Sequence, residues 1–177
     1  MRWLPFQLNP DLPEGGMSRQ EYLERKFGPG HAHGYTRIAG VGREVGIEFA
    51  FDRITVQPNT LHAHRLMLYG AKQGREDAIA EQLFRAYFLE GANLTDKATL
   101  ASVGERAGLD RTALVPYLAS EEGREDVLCA DRDARQAGID GVPFFIFNRR
   151  TAVSGAQAPE TLLRAMLEAR RREKERR

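Results

Sequence analysis

Apolar residues recur through most of this chain at spacings of three and four, the rhythm of helices with one buried face. The clearest case carries Leu61, His64, Arg65, Leu68 and Tyr69, with Asn59 or Thr60 as its cap and Lys72-Gln73-Gly74 as its end. A helix over Ala78–Leu89 turns Ile79, Leu83, Tyr87 and Phe88 inward. Thr95 or Asp96 caps a short helix through Ala107 that stops at Gly108. Asp110 opens the next, with Leu114, Val115 and Leu118, and Ser120 opens a longer one, Glu121–Ala137, closed by Gly138. Nearer the N-terminus, Ser18-x-x-Glu21 forms a capping box ahead of Tyr22, Leu23 and Phe27, and Gly28-Pro29-Gly30 ends that helix. Tyr35–Val45 reads as loosely helical, and Ile47–Ile54 as irregular and apolar.

The rhythm changes at both ends. Trp3, Leu4, Phe6 and Leu8 suggest a short strand, which Pro5 confines to an edge or to a place whose neighbour is missing. The Pro/Gly-punctuated stretch Asn9–Gly16 is a loop. Near the other end, Asp140-Gly141-Val142-Pro143 leads into four unbroken apolar residues, Phe144–Phe147, the pattern of a strand buried on both faces. Pro143 lacks an amide proton and fits the strand's first position. Thr151–Ser154 makes a second strand across the turn Asn148-Arg149-Arg150. The last helix starts near Pro159, with Leu162, Leu163, Met166 and Leu167 as its expected core face, and Arg170–Arg177 reads as a charged, frayed tail. Strand-like ends around about a hundred helical residues predict a small sheet split by a helical insertion.

The length of 177 residues suits one domain, and 42% hydrophobic residues supply a core. A net charge of +1 sets up no field for nucleic acid. The single cysteine, Cys129, cannot form an internal disulfide, which excludes a disulfide-stapled secreted scaffold. No apolar run spans a membrane, and Pro5, Asn9, Pro10 and Asp11 interrupt any signal-peptide core; the expected location is cytoplasmic.

Gly141-Val142-Pro143 before an apolar strand resembles the cis-proline turn of thioredoxin-fold proteins. Arg2–Pro10, Asn59–Arg65, Phe84–Phe88 and Ser154–Gln157 narrow the resemblance to the DsbA family, in its FrnE-like branch. Its superfamily includes 2-hydroxychromene-2-carboxylate isomerases and kappa-class glutathione transferases. The resemblance implies an α/β, thioredoxin-like sheet interrupted by a large helical insertion, with core segments 1–16 and 120–177 around a helical subdomain 17–119. It also implies a thiol–disulfide oxidoreductase acting on protein or small thiols.

Family members place a strand and a Cys-x-x-Cys helix ahead of the strand that Arg2–Asn9 resembles. The expectation is therefore an N-terminally truncated scaffold without its redox cysteines, inactive as written. The missing strand would leave two rows of backbone groups unpaired, at about 1–3 kcal/mol for each buried amide. Three outcomes follow: a gene that begins upstream, taken first; a rearranged sheet; or a homodimer that covers the gap.

For candidate chemistry, the resemblance assigns substrate binding to Val142 and Pro143 and sets Asn59 and His64 on a helix facing the cleft. Capping by Asn59 and a satisfied core histidine at His64 stand as the alternatives. Cys129 reads as a half-buried core residue, with a reactive or dimer-bridging thiol as the other reading. The pairs His31-Ala32-His33 and His62-Ala63-His64 lack the spacing of four that a helical zinc site needs, so no metal is expected. Ser154–Gln157 before the last helix suits a turn and cap better than a glutathione carboxylate site. A glutathione-dependent isomerase or transferase, and a non-catalytic binding or dimerisation module, remain the other functional readings. No cofactor other than glutathione is in view.

Overall fold

The expected helical rhythm builds the core of the chain's first compact unit. The computed structural model describes residues 1–28 and 32–174 and separates into two such units, Met1–Asp131 and Arg132–Arg177. In the first, β1 (Met17–Ser18) leads into α1 (Arg19–Phe27) and α2 (Ala32–Glu44). A 3-10 turn at Phe51–Arg53 precedes β2 (Val56–Gln57), and β1 and β2 form a short antiparallel pair that the sequence did not announce. Then come α3 (Leu61–Ala71), α4 (Glu76–Phe84), α5 (Lys97–Arg106), α6 (Arg111–Ala119) and α7 (Arg124–Gln136), the last of which crosses the boundary at 131.

Local chemistry explains the helix starts. Ser18 Oγ accepts from Glu21 N, one half of the predicted capping box. Asp96 caps α5 through the amides of Ala98 and Thr99, and Asp110 caps α6 through Thr112. Leu66, Ile79, Leu100, Val103, Leu114 and Leu118 are fully buried in one cluster drawn from α3 to α6. α5 and α6 lie so close that a Cβ on Gly104 would collide with the Leu114 side chain.

One polar side chain sits within that apolar packing. Arg65 on α3 has no exposed surface, and its guanidinium faces the end of α6. Nη2 donates to the carbonyls of Tyr117 and Ser120 at 2.8 and 2.7 Å. Nε donates to Glu122 O at 2.8 Å, and Nη1 reaches Leu118 O at 3.4 Å. The last carbonyls of a helix have no partner within it, and a cation there also suits the helix dipole. Tyr117 returns a bond from Oη to Arg65 O, and its ring lies 5.1 Å below the guanidinium carbon.

Several expectations need correction. Residues 1–7 form no strand and lie outside both sheets. Side chains tie them instead: Trp3 Nε1 donates to Asp77 Oδ1 (2.6 Å), Gln7 N to Asp131 Oδ1 (2.6 Å), and His64 Nε2 to Phe6 O (3.1 Å). The helix expected from Ala78 starts at Glu76, and its last stretch, Arg85–Leu89, takes the wider π geometry. The helix expected from Glu121 begins only at Arg124, because Gly123 holds φ at +75°, where a side chain would strain and would also meet the Tyr117 hydroxyl. The Pro29-Gly30 part of the first helix stop lies outside the described residues, and α1 ends at Gly28.

In the second unit, β3 (Phe144–Phe147) and β4 (Thr151–Ser154) form an antiparallel hairpin, and α8 (Pro159–Lys174) packs on it. Asn148 and Arg149 both hold positive φ, as a type I′ turn requires. β3 is not buried on both faces. Among the described residues its one ladder partner is β4, so Ile146 is 49% exposed while Phe145, Phe147, Thr151 and Val153 share the half-buried face. The expected core face of α8 is also corrected. Ala165 and Ala169 are buried, Leu162 is half-buried, and Leu163, Met166 and Leu167 face outward. Two alanines let the helix backbone approach the hairpin closely, which turns the bulkier residues away. The expected tail is helical from Arg170 through Lys174, with 175–177 outside the described residues.

Arg65→Met should lower the unfolding free energy by about 3 kcal/mol or more, since it removes hydrogen bonds from a charged donor to the carbonyls of Tyr117, Ser120 and Glu122, at about 1.5–3 kcal/mol each. Arg65→Lys should recover only part of this, because an ammonium cannot reproduce the planar fork. Urea titration of the two variants against the parent measures both effects.

Candidate functional site

The sequence-predicted site residues fall into two groups, one in each unit. In the second unit, the peptide bond Val142–Pro143 is cis, and Pro143 stands immediately before β3. Pro143 O accepts from Gly155 N at 2.8 Å, which closes the open end of the hairpin and fixes the turn. Val142 is 54% exposed, and Pro143 is also exposed. The turn thus presents an apolar side chain to solvent. An exposed apolar side chain beside a fixed turn can add selectivity where another polypeptide docks.

Asn59 and His64 lie at the start of α3 in the first unit. Thr60 holds the N-cap position without a side-chain cap bond. Asn59 does the capping: Oδ1 accepts from Leu61 N at 2.9 Å, and Nδ2 donates to Leu12 O at 2.7 Å. One side chain therefore starts α3 and anchors the Asn9–Gly16 loop. His64 donates from Nε2 to Phe6 O, which assigns its proton to that nitrogen. Burial holds its pKa below the ordinary 6.5, against the opposing influence of that bond and of the Asp131 carboxylate.

Sequence reasoning missed the neighbouring network. His62 is buried, with Nε2 2.6 Å from Glu14 Oε1 and Nδ1 2.9 Å from Arg65 Nη1. Since Arg65 can only donate, Nδ1 is the acceptor and Nε2 carries the proton given to Glu14. Burial is the main reason the His62 pKa lies below 6.5, partly offset by the Glu14 bond and reinforced by the Arg65 charge. Glu14 is held below the ordinary carboxylate value, chiefly by the bond from His62 and also by Arg124, whose Nη1 lies 3.7 Å away. The available signal was Arg65 itself, a cation in register with Leu61 and Leu68 on the apolar face of a helix.

The remaining candidates have local partners. Cys129 is half-buried in α7, and its thiol donates to Glu125 Oε1 at 3.3 Å. Gln157 Nε2 donates to Ser154 O at 2.9 Å, a turn that precedes α8. His31 and the His33 side chain lie outside the described residues. Among the described residues, no three His, Cys, Asp or Glu side chains are grouped as a metal site would require, and no helix is long and apolar enough to cross a membrane.

A hairpin opened by a cis-proline turn and backed by a C-terminal helix, with a helix-rich unit before it, marks a mixed α/β protein of thioredoxin-like type. The DSBA-like thioredoxin domain matches residues 1–167, and the chain belongs to that family. It is 24% identical over 168 residues to the uncharacterized protein YwbO of Bacillus subtilis (strain 168), an alignment covering 94% of this chain and 80% of that protein. It is also similar in structure to a crystal structure of a probable DsbA oxidoreductase from Streptomyces coelicolor. That match has a TM-score of 0.84 and 27% identity, over 93% of this chain and 72% of the other.

The two histidines give the fold a pH dependence with a definite sign. Both folded-state pKa values lie below the unfolded 6.5, so the unfolded chain binds protons first as pH falls. This contribution is intact above 6.5 and is lost as pH falls from there toward the folded values. His64→Gln, which keeps a donor for Phe6 O but does not titrate, should flatten the decline in melting temperature between about pH 7 and 5. His62→Gln should remove a further part of the slope. Thermal melts at stepped pH measure both.

Proposed function

We propose that this DsbA-family chain holds an extended polypeptide or a small thiol compound at the Val142–Pro143 turn, without exchanging disulfides through a dithiol of its own. The observation that carries the reading is the exposed Val142 beside a turn whose backbone is fixed by the Gly155–Pro143 bond. Dithiol exchange needs a thiolate of lowered pKa and a second thiol within reach. These 177 residues contain one cysteine, which lies within α7 and bonds to Glu125. The reading places the chain in the FrnE-like branch on the strength of Arg2–Pro10 and Asn59–Arg65. It treats 17–119 as a helical insertion in a thioredoxin-like core formed by 1–16 and 120–177. Asn59 and His64 act here by fixing the start of α3 and the Asn9–Gly16 and Phe6 segments beside it.

In insulin reduction by dithiothreitol, the chain should give the uncatalysed rate, and clear turnover would refute the proposal. Binding is tested separately with a fluorescently labelled, reduced and carboxymethylated polypeptide. Val142→Glu should weaken that binding by about fivefold or more while leaving the melting temperature unchanged, because the side chain is exposed. Equal affinity in parent and variant would remove the turn from the binding surface.

A further inference from the structure

The outward face of α8 is apolar in a way that solvent does not favour. Leu163, Met166 and Leu167 are 56%, 51% and 56% exposed, and their spacing of three and four puts them on one stripe. The opposite face, with Ala165 and Ala169, is already used against the hairpin. Glu160, Arg164, Glu168 and Arg171 flank this stripe on the same open face of the helix. The charges along this flank alternate: Glu160, Arg164, Glu168, Arg171.

That alternation selects the occupant. Read backwards, the order negative, positive, negative, positive becomes its own complement. A second α8 laid antiparallel, with a two-fold axis beside Met166, sets Arg164 opposite Glu168 of the other copy and Glu160 opposite its Arg171 end. Each contact then occurs twice, as a closed two-fold interface requires. A parallel two-fold copy would turn this flank away from its own counterpart, and a partner of one charge sign would place like against like at half of these positions. Leu163, Met166 and Leu167 of both copies would meet along the seam at an antiparallel helix crossing. We propose that the chain self-associates as an antiparallel two-fold dimer through the Leu163–Met166–Leu167 face of α8. This differs from a dimer covering an unpaired strand edge, and it does not depend on the Val142 reading.

Sedimentation equilibrium over a concentration series tests it, with the melting temperature of each variant as the check on folding. The parent chain should show a monomer–dimer equilibrium. Leu163→Lys, at an exposed position, should abolish the dimer without lowering the melting temperature. Arg164→Glu places like charges together at the centre of the flank and should weaken association about tenfold. Adding Glu168→Arg restores a self-complementary order and should bring association back to within about threefold of the parent. A parent that stays monomeric at about 100 μM, where an interface of micromolar affinity would be filled, overturns the proposal. A dimer that survives Leu163→Lys, or an Arg164→Glu loss that Glu168→Arg fails to restore, overturns it equally.

Discussion

The first unit depends on where the Arg65 guanidinium goes. A charge with no exposed surface and, among the described residues, no carboxylate paired with it can be held only if its protons are taken by other acceptors. Here they are carbonyls at the end of α6 and the turn after it, together with His62 Nδ1. This requirement fixes the separation of α3 and α6, and it sets the path of the chain from Tyr117 to Glu122. It also fixes the tautomer of His62, through which the Asn9–Gly16 loop is tied to α3 at Glu14. A single cation thereby couples a helix end, a buried imidazole and a surface loop.

The second unit is organised by contact area more than by polar partners. Alanines at 165 and 169 let α8 settle against the hairpin, and the half-buried Phe145, Phe147 and Val153 lie on one side of the strands. The same choice leaves the leucines and methionine of α8 outside. A residue's hydrophobicity therefore does not decide which face of this helix is covered; the closeness of backbone approach that small side chains allow does.

Much of this was legible before any coordinates. Capping residues located the starts of α1, α5 and α6, because Ser18, Asp96 and Asp110 satisfy amides a few residues away and need nothing distant. The hairpin and its turn were equally local, and the family was readable from Gly141-Val142-Pro143 and its companion segments. The larger errors share a dependence on distant partners. Trp3–Leu8 has the composition of a strand, yet a strand exists only where another supplies its hydrogen bonds. The periodicity of α8 is compatible with two faces, and only the packed hairpin chooses between them. For Asn59 and His64, the sequence offered both a local structural role and a cleft-facing one; the geometry shows the cap from Asn59, together with ties to Leu12 O and Phe6 O that no spacing rule encodes.

The fastening of residues 1–7 has a consequence of its own. A ladder resembles a zip: a shift of one residue carries every side chain to the wrong face, and its bonds open in sequence from an end. Trp3, Phe6 and Gln7 are held more like a strip pinned at separate points, with Asp77, His64 and Asp131 among the partners. Loss of one pin leaves the others engaged. Loosening of this strip should therefore come in steps, with the amide of Gln7 shielded from deuterium exchange by its own carboxylate contact, independently of whether Trp3 has let go.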